Sequence, residues 1–502
     1  MEEKMKHLGT LFCCILFFAS GAGSQTTIVQ YRSGPKMNNN RMGHYSMVLP
    51  GGNVALVGGH GSGFVSLNTV DIYNPTSNTC TLDTMQYIHD FCAVSDLSDG
   101  TWLIAGGSNN LGVAPGISGA EIYNPATGKF TACSSLVYPR CVSTGVRLAN
   151  NNVLIVGGWY DQTSATYGEI FNSSTKSFSA TQALNTPRSN AVAIATNDSG
   201  AVIFGGYYYY GGTFYENVEY YNSKTNSFTQ LQNHLFPNDS GWCVQEDMFL
   251  RPMSSQRMKN GKYLICAWKQ SPLQYILGTF DPSTKSFAEL NLQTSLPPAD
   301  SVQFFKSPIV DTTRNVAYWY SMKPNSNPAI MQLYIIDLTT LTWQASQLYT
   351  TDYYWSYAGM NLLTNGNILI SGGTTTNDAT ENFNPVDSTI IVSIGIATGV
   401  IGNGSSKNQP REFSLYQNYP NPFNPSTRIR FDLKEASTVT LDIFNVLGQR
   451  VRELNYGTMA AGEYERNIDF SGYASGVYFY RIVAAGNDGQ KFVSVKKLLL
   501  MK

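Results

Sequence analysis

The sequence VDIYNPTSNTCTL at residues 70–82 contains the unit that decides the fold. Its first arm, residues 70–73, is rich in β-prone side chains, and the run Asn-Pro-Thr-Ser-Asn that follows is typical of a turn. A second arm returns over residues 79–82. This pattern predicts two short antiparallel strands joined by a tight turn. The side chain of Asn74 can accept a hydrogen bond from the turn backbone, as in an Asx-turn.

The same pattern returns six more times along the chain. In every copy an apolar residue, usually aromatic, precedes Asn or Asp, and its counterpart in the second arm lies seven residues later. The pairs are Tyr73 and Cys80, Tyr123 and Phe130, Phe171 and Phe178, Tyr221 and Phe228, Phe280 and Phe287, Ile336 and Trp343, and Phe383 and Ile390. A fixed spacing that recurs seven times indicates seven copies of one structural unit.

A second recurring motif precedes each hairpin, and it is a hydrophobic run closed by two glycines. The clear copies are residues 54–57, 102–105, 153–156, 201–204 and 368–371, each followed by Gly-Gly. Two copies lack the glycines, because residues 263–265 run into Cys266-Ala267 and residues 316–319 into Tyr320-Ser321. A continuous apolar strand ending in Gly-Gly is typical of a strand buried on both faces, where neighbouring backbones approach closely.

A further short strand is expected before each run, and Arg41, Arg140 or Arg188 introduces it in three units. Each unit thus holds four strands in about 50 residues, a pattern that resembles the kelch repeat. The resemblance covers residues 25–400 and implies an all-β, kelch-type β-propeller of seven blades, with a six-bladed ring as the alternative. Residues 27–31 form a spare strand that we expect to complete the last blade.

The composition and the strand pattern change after residue 400. Residues 401–410, IGNGSSKNQP, have the composition of a linker. Strands predicted at 427–433, 439–445, 476–483 and 491–499 favour a small Ig-like β-sandwich over residues 411–502. The motifs YPNPFNP (419–425), IFNVLGQ (443–449), SGVYFYRI (475–482) and KKLLLMK (496–502) resemble the type A C-terminal sorting domain of the type IX secretion system. The resemblance implies that the type IX machinery is a partner; a purely structural module is the alternative.

The N-terminus has the features of a secretory signal peptide. Lys4 and Lys6 precede an apolar run at 8–19, and Ala22-Gly23-Ser24 end the predicted leader, residues 1–24. The run is too short to span a bilayer, so we expect no transmembrane segment. With a formal net charge of −1, the chain gives no electrostatic reason to expect a nucleic-acid partner. We therefore expect a protein that crosses the periplasm and is secreted or held at the outer-membrane surface. Six cysteines follow the leader, and the sequence leaves their pairing open.

Aromatic residues gather in the loops that would share one face of the propeller. They are Trp159, Tyr160, Tyr207, Tyr208, Tyr209, Tyr210, Tyr215, Trp242, Trp268, Tyr275, Tyr353, Tyr354 and Trp355. Such rings can stack on sugars or fill pockets on a protein partner, so we predict a face that binds a glycan or a protein. Packing between blades is the alternative for each ring. Arg140 and Arg188 could donate to a ligand near the channel, or could satisfy buried carbonyls.

The sequence gives less support for a catalytic function. The histidines after the leader are His44, His60, His89 and His234, in separate units, and familiar metal or nucleophile motifs are absent. We therefore predict no metal or other cofactor. Some kelch-like propellers are galactose-oxidase-like or sialic-acid-mutarotase-like enzymes, which remains the alternative function. For the second type, the charged cluster to consider is Glu246, Asp247 and Arg251.

Overall fold

The structure is a computed structural model of the chain. It describes residues 13–14, 26–109, 116–158, 162–207, 214–236, 242–243, 255–270, 273–297, 303–304, 308–323, 329–351, 354–356, 358–376, 384–397, 412–435, 437–459, 462–470, 472–486 and 491–501. These residues belong to two compact units, one built on Thr26–Ala397 and the other on Thr398–Lys502. Within the described ranges, no helix is both long and apolar enough to cross a membrane.

Units 1 to 4 of the repeat are four-stranded antiparallel sheets whose strands follow one another in chain order. Unit 1 contains Tyr45–Val48, Val54–Val57, Thr69–Asn74 and Thr79–Thr84. Unit 2 contains Ala93–Asp96, Trp102–Ala105, Ala120–Asn124 and Lys129–Ala132. Unit 3 contains Thr144–Arg147, Val153–Val156, Tyr167–Asn172 and Ser177–Ala183, with the short helix Gln162–Thr166 before its third strand. Unit 4 contains Val192–Ala195, Ala201–Phe204, Val218–Asn222 and Ser227–Gln232.

Units 5 to 7 follow the same order with additional short strands. Unit 5 contains Trp242–Cys243, Ser255–Arg257, Tyr263–Gln270, Leu273–Asp281 and Ser286–Glu289. Unit 6 contains Gln303–Phe304, Ile309–Asp311, Val316–Lys323, Ala329–Asp337 and Thr342–Thr351. Unit 7 contains Gly359–Leu362, Ile368–Ser371 and Thr389–Ala397, and a small sheet of Tyr354–Ser356, Thr374–Thr376 and Asn384–Pro385 accompanies it. A 3-10 turn, Ser62–Phe64, lies in unit 1.

The predicted hairpins form between strands three and four in units 1 to 6. The seventh, at Phe383 and Ile390, is wrong, because Ile390 lies in the third strand of unit 7, Thr389–Ala397, and the fourth strand of that unit, Thr26–Ser33, comes from the N-terminal side of the propeller. Tyr123 lies directly opposite Phe130 in the ladder, and their ring centres are 4.5 Å apart. The equivalent residues of units 1, 3, 4, 5 and 6 are opposed in the same register. The Asx-turn is present too, because Asn74 Oδ1 accepts hydrogen bonds from the backbone N–H groups of Thr76 and Ser77. The seven-residue spacing therefore reports a cross-strand pair at the start of a tight turn.

Hydrophobic clusters close the seven sheets into a ring. Each cluster joins two neighbouring units, and among the described residues such clusters lie at all seven junctions. At the junction of units 1 and 7, Leu56 and Tyr73 pack with Leu369 and Ile391, all buried. Because the last unit packs on the first, the sheets form a closed seven-bladed β-propeller, and the six-bladed alternative is wrong.

The N-terminal strand Thr26–Ser33 completes the last sheet. It pairs along its whole length with Thr389–Ala397, as the spare strand at residues 27–31 was predicted to do. Val29, in this strand, is 2% exposed and belongs to the cluster between units 6 and 7. A two-residue strand, Cys13–Cys14, pairs on its other side. The first and last strands of the propeller thus pair within one blade. The ring cannot open without breaking the hydrogen bonds between them.

The C-terminal unit is a β-sandwich with its own core. One sheet contains Ser414–Leu415, Ser426–Leu433 and Gly462–Asp469; the other contains Ser437–Phe444, Arg450–Met459, Gly476–Gly486 and Lys491–Leu500. Phe431, Ile443 and Tyr480 are fully buried between them. The turn predicted at Asn445 is present, since Gly448 N–H donates to Asn445 O at 3.0 Å. The strand Arg450–Met459 was not predicted, because its alternating charged and apolar residues carry a weaker signal.

Candidate ligand-binding face

One face of the propeller carries the Gly-Gly pairs, the connections from strand two to three, and those from strand four to the next unit; we call it the diglycine face. The opposite face carries the Asx-turns. Gly58 and Gly59 have φ values of 60° and 78°, and Gly106 and Gly107 of 68° and 110°. Residues that carry a side chain rarely adopt this left-handed backbone conformation. A Cβ on Gly107 would also lie 2.8 Å from Asp90 O. The glycines therefore end the second strand where adjacent units meet.

In units 1 to 4, a buried basic side chain and a buried carboxylate support the first glycine of the pair. In unit 3, Arg140 Nη1 donates to Gly157 O at 2.9 Å and Nη2 lies 2.9 Å from Glu169 Oε1. The same pattern joins Arg41 with Gly58 and Asp71, His89 with Gly106 and Glu121, and Arg188 with Gly205 and Glu219. In all four units the basic residue precedes the glycine by 17 residues.

The backbone satisfies the remaining oxygens of the carboxylates. Glu169 accepts from the N–H groups of Val137 and Tyr138. Glu219 accepts from those of Asn185 and Thr186. A buried ion pair whose lone pairs are met in this way avoids the penalty of an unpaired buried charge. Each ion pair thus holds the connection that enters a unit against the third strand of that unit.

Arg140 and Arg188, predicted as ligand-binding residues, are completely buried in these networks. Burial lowers the pKa of the Arg188 guanidinium, and the nearby Glu219 carboxylate opposes that shift. Their donors serve glycine carbonyls and carboxylates of their own units, which is the structural role that the sequence left as the alternative. The carboxylate partners were missed. A signal existed, because Asp71, Glu121, Glu169 and Glu219 each lie two residues before the first aromatic residue of the hairpin.

Units 5 and 6, which lack the diglycine, build a raised wall on the diglycine face. Their second strands, Tyr263–Gln270 and Val316–Lys323, are eight residues long, whereas those of the units with a diglycine are four. The sequence predicted only residues 263–265 and 316–319 as strand. Without left-handed glycines the ladder continues, and four more residues extend a strand by about 13 Å. Gly278 and Tyr334 occupy the positions at which units 1 to 4 have the acidic partner of the buried basic residue.

An aromatic patch lies where unit 4 meets this wall; we define it as Tyr207, Phe214, Tyr215 and Trp268. The rings of Phe214 and Trp268 meet edge to face with centres 4.9 Å apart, and those of Tyr207 and Phe214 lie 6.1 Å apart. Tyr207 is buried, whereas the other three rings are partly exposed. The Arg188 guanidinium lies 5.4 Å from the centre of the Tyr215 ring. The structure therefore brings together Tyr207, Tyr215 and Trp268 from the predicted set.

Three residues with a left-handed backbone conformation form a hydrogen-bonded row that ends next to the patch. Phe91, Val142 and Asn190 each lie two residues after His89, Arg140 or Arg188 and have φ values of 55°, 54° and 57°. Val142 N–H donates to Phe91 O at 2.7 Å, and Asn190 N–H donates to Val142 O at 3.2 Å. A β-branched residue in this conformation is uncommon and strained. These hydrogen bonds link units 2, 3 and 4 and hold the strained residues in place.

Asn190 adds a polar group to this region. Its side chain is 2% exposed, and neither its amide oxygen nor its amide nitrogen has a hydrogen-bond partner among the described residues. The preceding residue, Ser189, exchanges backbone hydrogen bonds with Tyr207 of the patch. Buried amides of this kind are satisfied by ordered water or by a polar ligand.

Several predicted residues lie outside what the structure describes. Trp159, Tyr160, Tyr208, Tyr209, Tyr210 and Tyr353 fall in its gaps, as do Glu246, Asp247 and Arg251. Tyr354 and Trp355 are described by their backbone alone, in the strand Tyr354–Ser356. For these residues the predictions from sequence stand as predictions.

The described histidines each have a neighbouring partner. His44 Nε2 lies 3.1 Å from Ser371 Oγ, His60 Nδ1 lies 2.6 Å from Asp90 Oδ2, and His234 pairs with Glu216. Among the described residues, no group of three His, Cys, Asp or Glu is arranged to hold a metal ion. Burial raises the pKa of Cys266, and burial together with Asp71 raises that of Cys80 to about 12, which disfavours thiolate ligands there.

Comparison with known proteins identifies one part of the chain. The family described as "Secretion system C-terminal sorting domain" matches residues 417–498, within the C-terminal sandwich. These residues are a type IX sorting domain. The type IX machinery is accordingly a partner of the chain, which is delivered across the periplasm to the cell surface or released. No curated protein matches the sequence.

The propeller has a counterpart among solved structures. It is described as "Novel fungal alcohol oxidase with catalytic diversity among the AA5 family, in complex with copper". The TM-score is 0.50 at 11% identity, and the match covers 96% of this chain and 100% of that one. At this identity the likeness shows the fold alone, and it confirms the predicted all-β propeller architecture.

Proposed function

We propose that this exported protein is a binding protein whose diglycine face recognises a carbohydrate through the aromatic patch. The observation that carries the proposal is the partly exposed edge-to-face pair of Phe214 and Trp268 at the foot of the wall of units 5 and 6. Flat aromatic rings stack on sugar rings, and Asn190, which follows the Ser189 that pairs with Tyr207, supplies a buried amide. We further propose that the seven units are kelch repeats and that residues 1–24 are a signal peptide.

The rigidity of the patch supports this role. Tyr215 N–H donates to Gly206 O at 2.9 Å, and its ring lies against the buried Arg188. Rings that are already held in place lose little conformational entropy when they bind. The ion-pair networks of the fold therefore contribute to recognition indirectly, by fixing the patch rather than by touching the ligand.

A glycan array probed with the purified chain tests the proposal. We expect saturable binding to a defined set of glycans, with Trp268→Ala lowering the affinity at least tenfold. Trp102→Ala is the matched control, because it removes a partly buried tryptophan from the opposite end of a second strand in unit 2. Absence of glycan binding, with capture of a protein partner that depends on Trp268, would show that the ligand is a protein.

A copper oxidase is the second candidate, favoured by the name of the similar structure. The described histidines do not fit that role, since their ring nitrogens face side chains of the fold in separate units. Metal analysis of the purified chain, combined with a peroxide assay on alcohols and sugars, separates the two candidates. Stoichiometric copper with peroxide release would contradict a purely binding role.

A further inference from the structure

The last strand of the C-terminal sandwich, Lys491–Leu500, lies at the edge of its four-stranded sheet. One side of this strand pairs with Gly476–Gly486, and no described strand pairs along its other side. The YPNPFNP motif covers the second half of this outer side. Phe423 N–H donates to Leu499 O at 3.0 Å, and Asn421 Oδ1 accepts from Leu499 N–H at 2.9 Å. The chain itself therefore closes this half of the edge.

The first half of the same edge is open. Both backbone groups of Leu499 face outward, and in an antiparallel ladder without a bulge this direction alternates from one residue to the next. The N–H and C=O groups of Lys491, Val493 and Val495 therefore face outward as well. No hydrogen bond among the described residues uses these groups. We call residues 491–495 the open edge, and a row of such groups is a template for a further strand.

The side chains at the open edge are apolar and exposed. Val493 is 53% exposed and Val495 is 52% exposed. In the ladder they lie opposite Val483 and Arg481, whose side chains are partly buried. The Arg481 guanidinium lies 4.9 Å from the centre of the Phe444 ring, so its charge is drawn toward the inner strands of the sheet. An exposed apolar edge that no charge or bulge interrupts favours pairing with another chain.

The charges around the open edge determine which kind of strand can pair there. Residues 491–502 contain four lysines and no acidic residue. In a pair of two copies, the antiparallel register that places Val493 opposite Val495 also places Lys491 opposite Lys497. Both lysines are exposed, and like charges directly opposite each other destabilise a sheet. The charge therefore disfavours a second copy and favours an acidic strand of another protein.

We propose that the open edge receives an extended strand of the type IX secretion machinery, with β-branched residues opposite the two valines and acidic residues opposite Lys491 and Lys497. The machinery is the partner of this domain, and the open edge lies within the matched residues 417–498. Backbone hydrogen bonds of an added strand supply affinity, and its alternating side chains supply specificity. Because the YPNPFNP motif closes the rest of the edge, the added strand is confined to the first half.

Fluorescence anisotropy with labelled synthetic peptides tests the proposal on the full chain. The first probe is Glu-Glu-Val-Thr-Val-Thr-Glu, whose valines lie opposite Val495 and Val493 when it runs antiparallel to the edge. The second probe carries lysines in place of the glutamates. We expect saturable binding of the first probe and at least tenfold weaker binding of the second. The double variant Lys491→Glu with Lys497→Glu should reverse this order.

A proline variant tests the contribution of the backbone. Val495→Pro removes an outward N–H and no hydrogen bond to Gly476–Gly486, and it should weaken binding of the first probe at least tenfold. Val493→Thr with Val495→Thr keeps every backbone group and should also weaken binding, which separates loss of contact from loss of fold. Val446→Pro is the matched control. It replaces a valine that is 65% exposed in the turn after Asn445, where proline is favoured, and should leave affinity unchanged.

Secretion from a bacterium that has a type IX system shows whether the machinery uses the open edge. We expect the secreted fraction of the full chain to fall at least fivefold with Val495→Pro and with the double variant of Lys491 and Lys497. Val446→Pro should be secreted like the unchanged chain. Unchanged secretion of both edge variants, or no saturable binding of the first probe, would overturn the proposal.

Sedimentation velocity distinguishes a strand of the machinery from a second copy of the chain. We expect a monomer whose sedimentation is the same with and without Val495→Pro. A dimer that Val495→Pro dissociates would show that the open edge is an interface between copies, and would overturn the assignment to the machinery.

Discussion

Arg188 lies 2.8 Å from Glu219 through one guanidinium nitrogen, and the centre of that guanidinium lies 5.4 Å from the ring of Tyr215. One arginine thus joins the buried ion pair of unit 4 to the aromatic patch on the surface. The stability of the propeller and the geometry of its candidate site depend on the same side chain.

Removing the cation of a network should destabilise the propeller strongly. Arg140→Met leaves Glu169 buried without its charge partner, and we expect a loss of about 3–5 kcal/mol. Arg147→Met, which breaks the exposed pair with Asp96, should lose no more than about 1 kcal/mol. All seven tryptophans lie between residues 102 and 355, so urea unfolding followed by tryptophan fluorescence reports on the propeller alone. Equal losses in both variants would contradict the role assigned to Arg140.

The diglycine should tolerate no side chain at its second position. Gly107→Ala combines a φ of 110° with a Cβ 2.8 Å from Asp90 O, so the backbone of unit 2 must move. Gly100→Ala has a similar φ of 82° but open space around the added carbon. We expect about 1 kcal/mol of destabilisation from Gly100→Ala and clearly more from Gly107→Ala, measured by the same unfolding experiment. The reverse order would show that the close approach of the backbones is unimportant.

The closing strand should be essential to the ring. Val29→Asp buries a carboxylate at the junction of units 6 and 7 and should lower the free energy of unfolding by at least about 3 kcal/mol. Thr81→Asp, on an exposed position of the outer strand of unit 1, should change it by less than about 0.5 kcal/mol. If Val29→Asp behaves like Thr81→Asp, the N-terminal strand does not hold the last blade.

Cys80 should react slowly with thiol reagents although it is partly exposed. Burial, with a smaller contribution from Asp71, raises the pKa of its thiol to about 12. The reactive thiolate is therefore scarce at neutral pH, and its fraction rises only as the pH approaches 12. Iodoacetamide labelling followed by mass spectrometry should give a rate that increases about tenfold between pH 9 and pH 10. An increase of less than about twofold over this interval, as for an ordinary cysteine with a pKa of about 8.5, would contradict this environment.

Much of the propeller could be predicted from sequence because its signals are local. The apolar runs ending in Gly-Gly match the observed second strands of units 1, 2, 3, 4 and 7 to the residue. The seven-residue spacing predicted the hairpins of units 1 to 6, because the two residues of each pair lie opposite each other across a short turn. It failed in unit 7, whose fourth strand is supplied by Thr26–Ser33. In units 5 and 6 the predicted strands were too short. The absence of the glycine pair indicates that the strand continues, but it does not indicate how many residues further it runs.

The candidate site was harder to predict, because loop residues do not reveal their partners. Trp268 and Phe214 come from different units and meet only through the packing of unit 4 against unit 5. The arginines illustrate the opposite difficulty: their positions were noticed, but the carboxylates that hold them lie about 30 residues later in the chain. Pairing each arginine with the acidic residue before the hairpin aromatic would have assigned them to the fold.

The measurement that tests the binding proposal most directly is hydrogen–deuterium exchange of the full chain with and without a glycan identified on the array. We expect added protection in peptides covering residues 205–215 and 263–275, on the diglycine face, and none in the Asx-turns of the opposite face. Protection confined to the Asx-turns, or to the C-terminal sandwich, would contradict the assignment of the aromatic patch as the binding site.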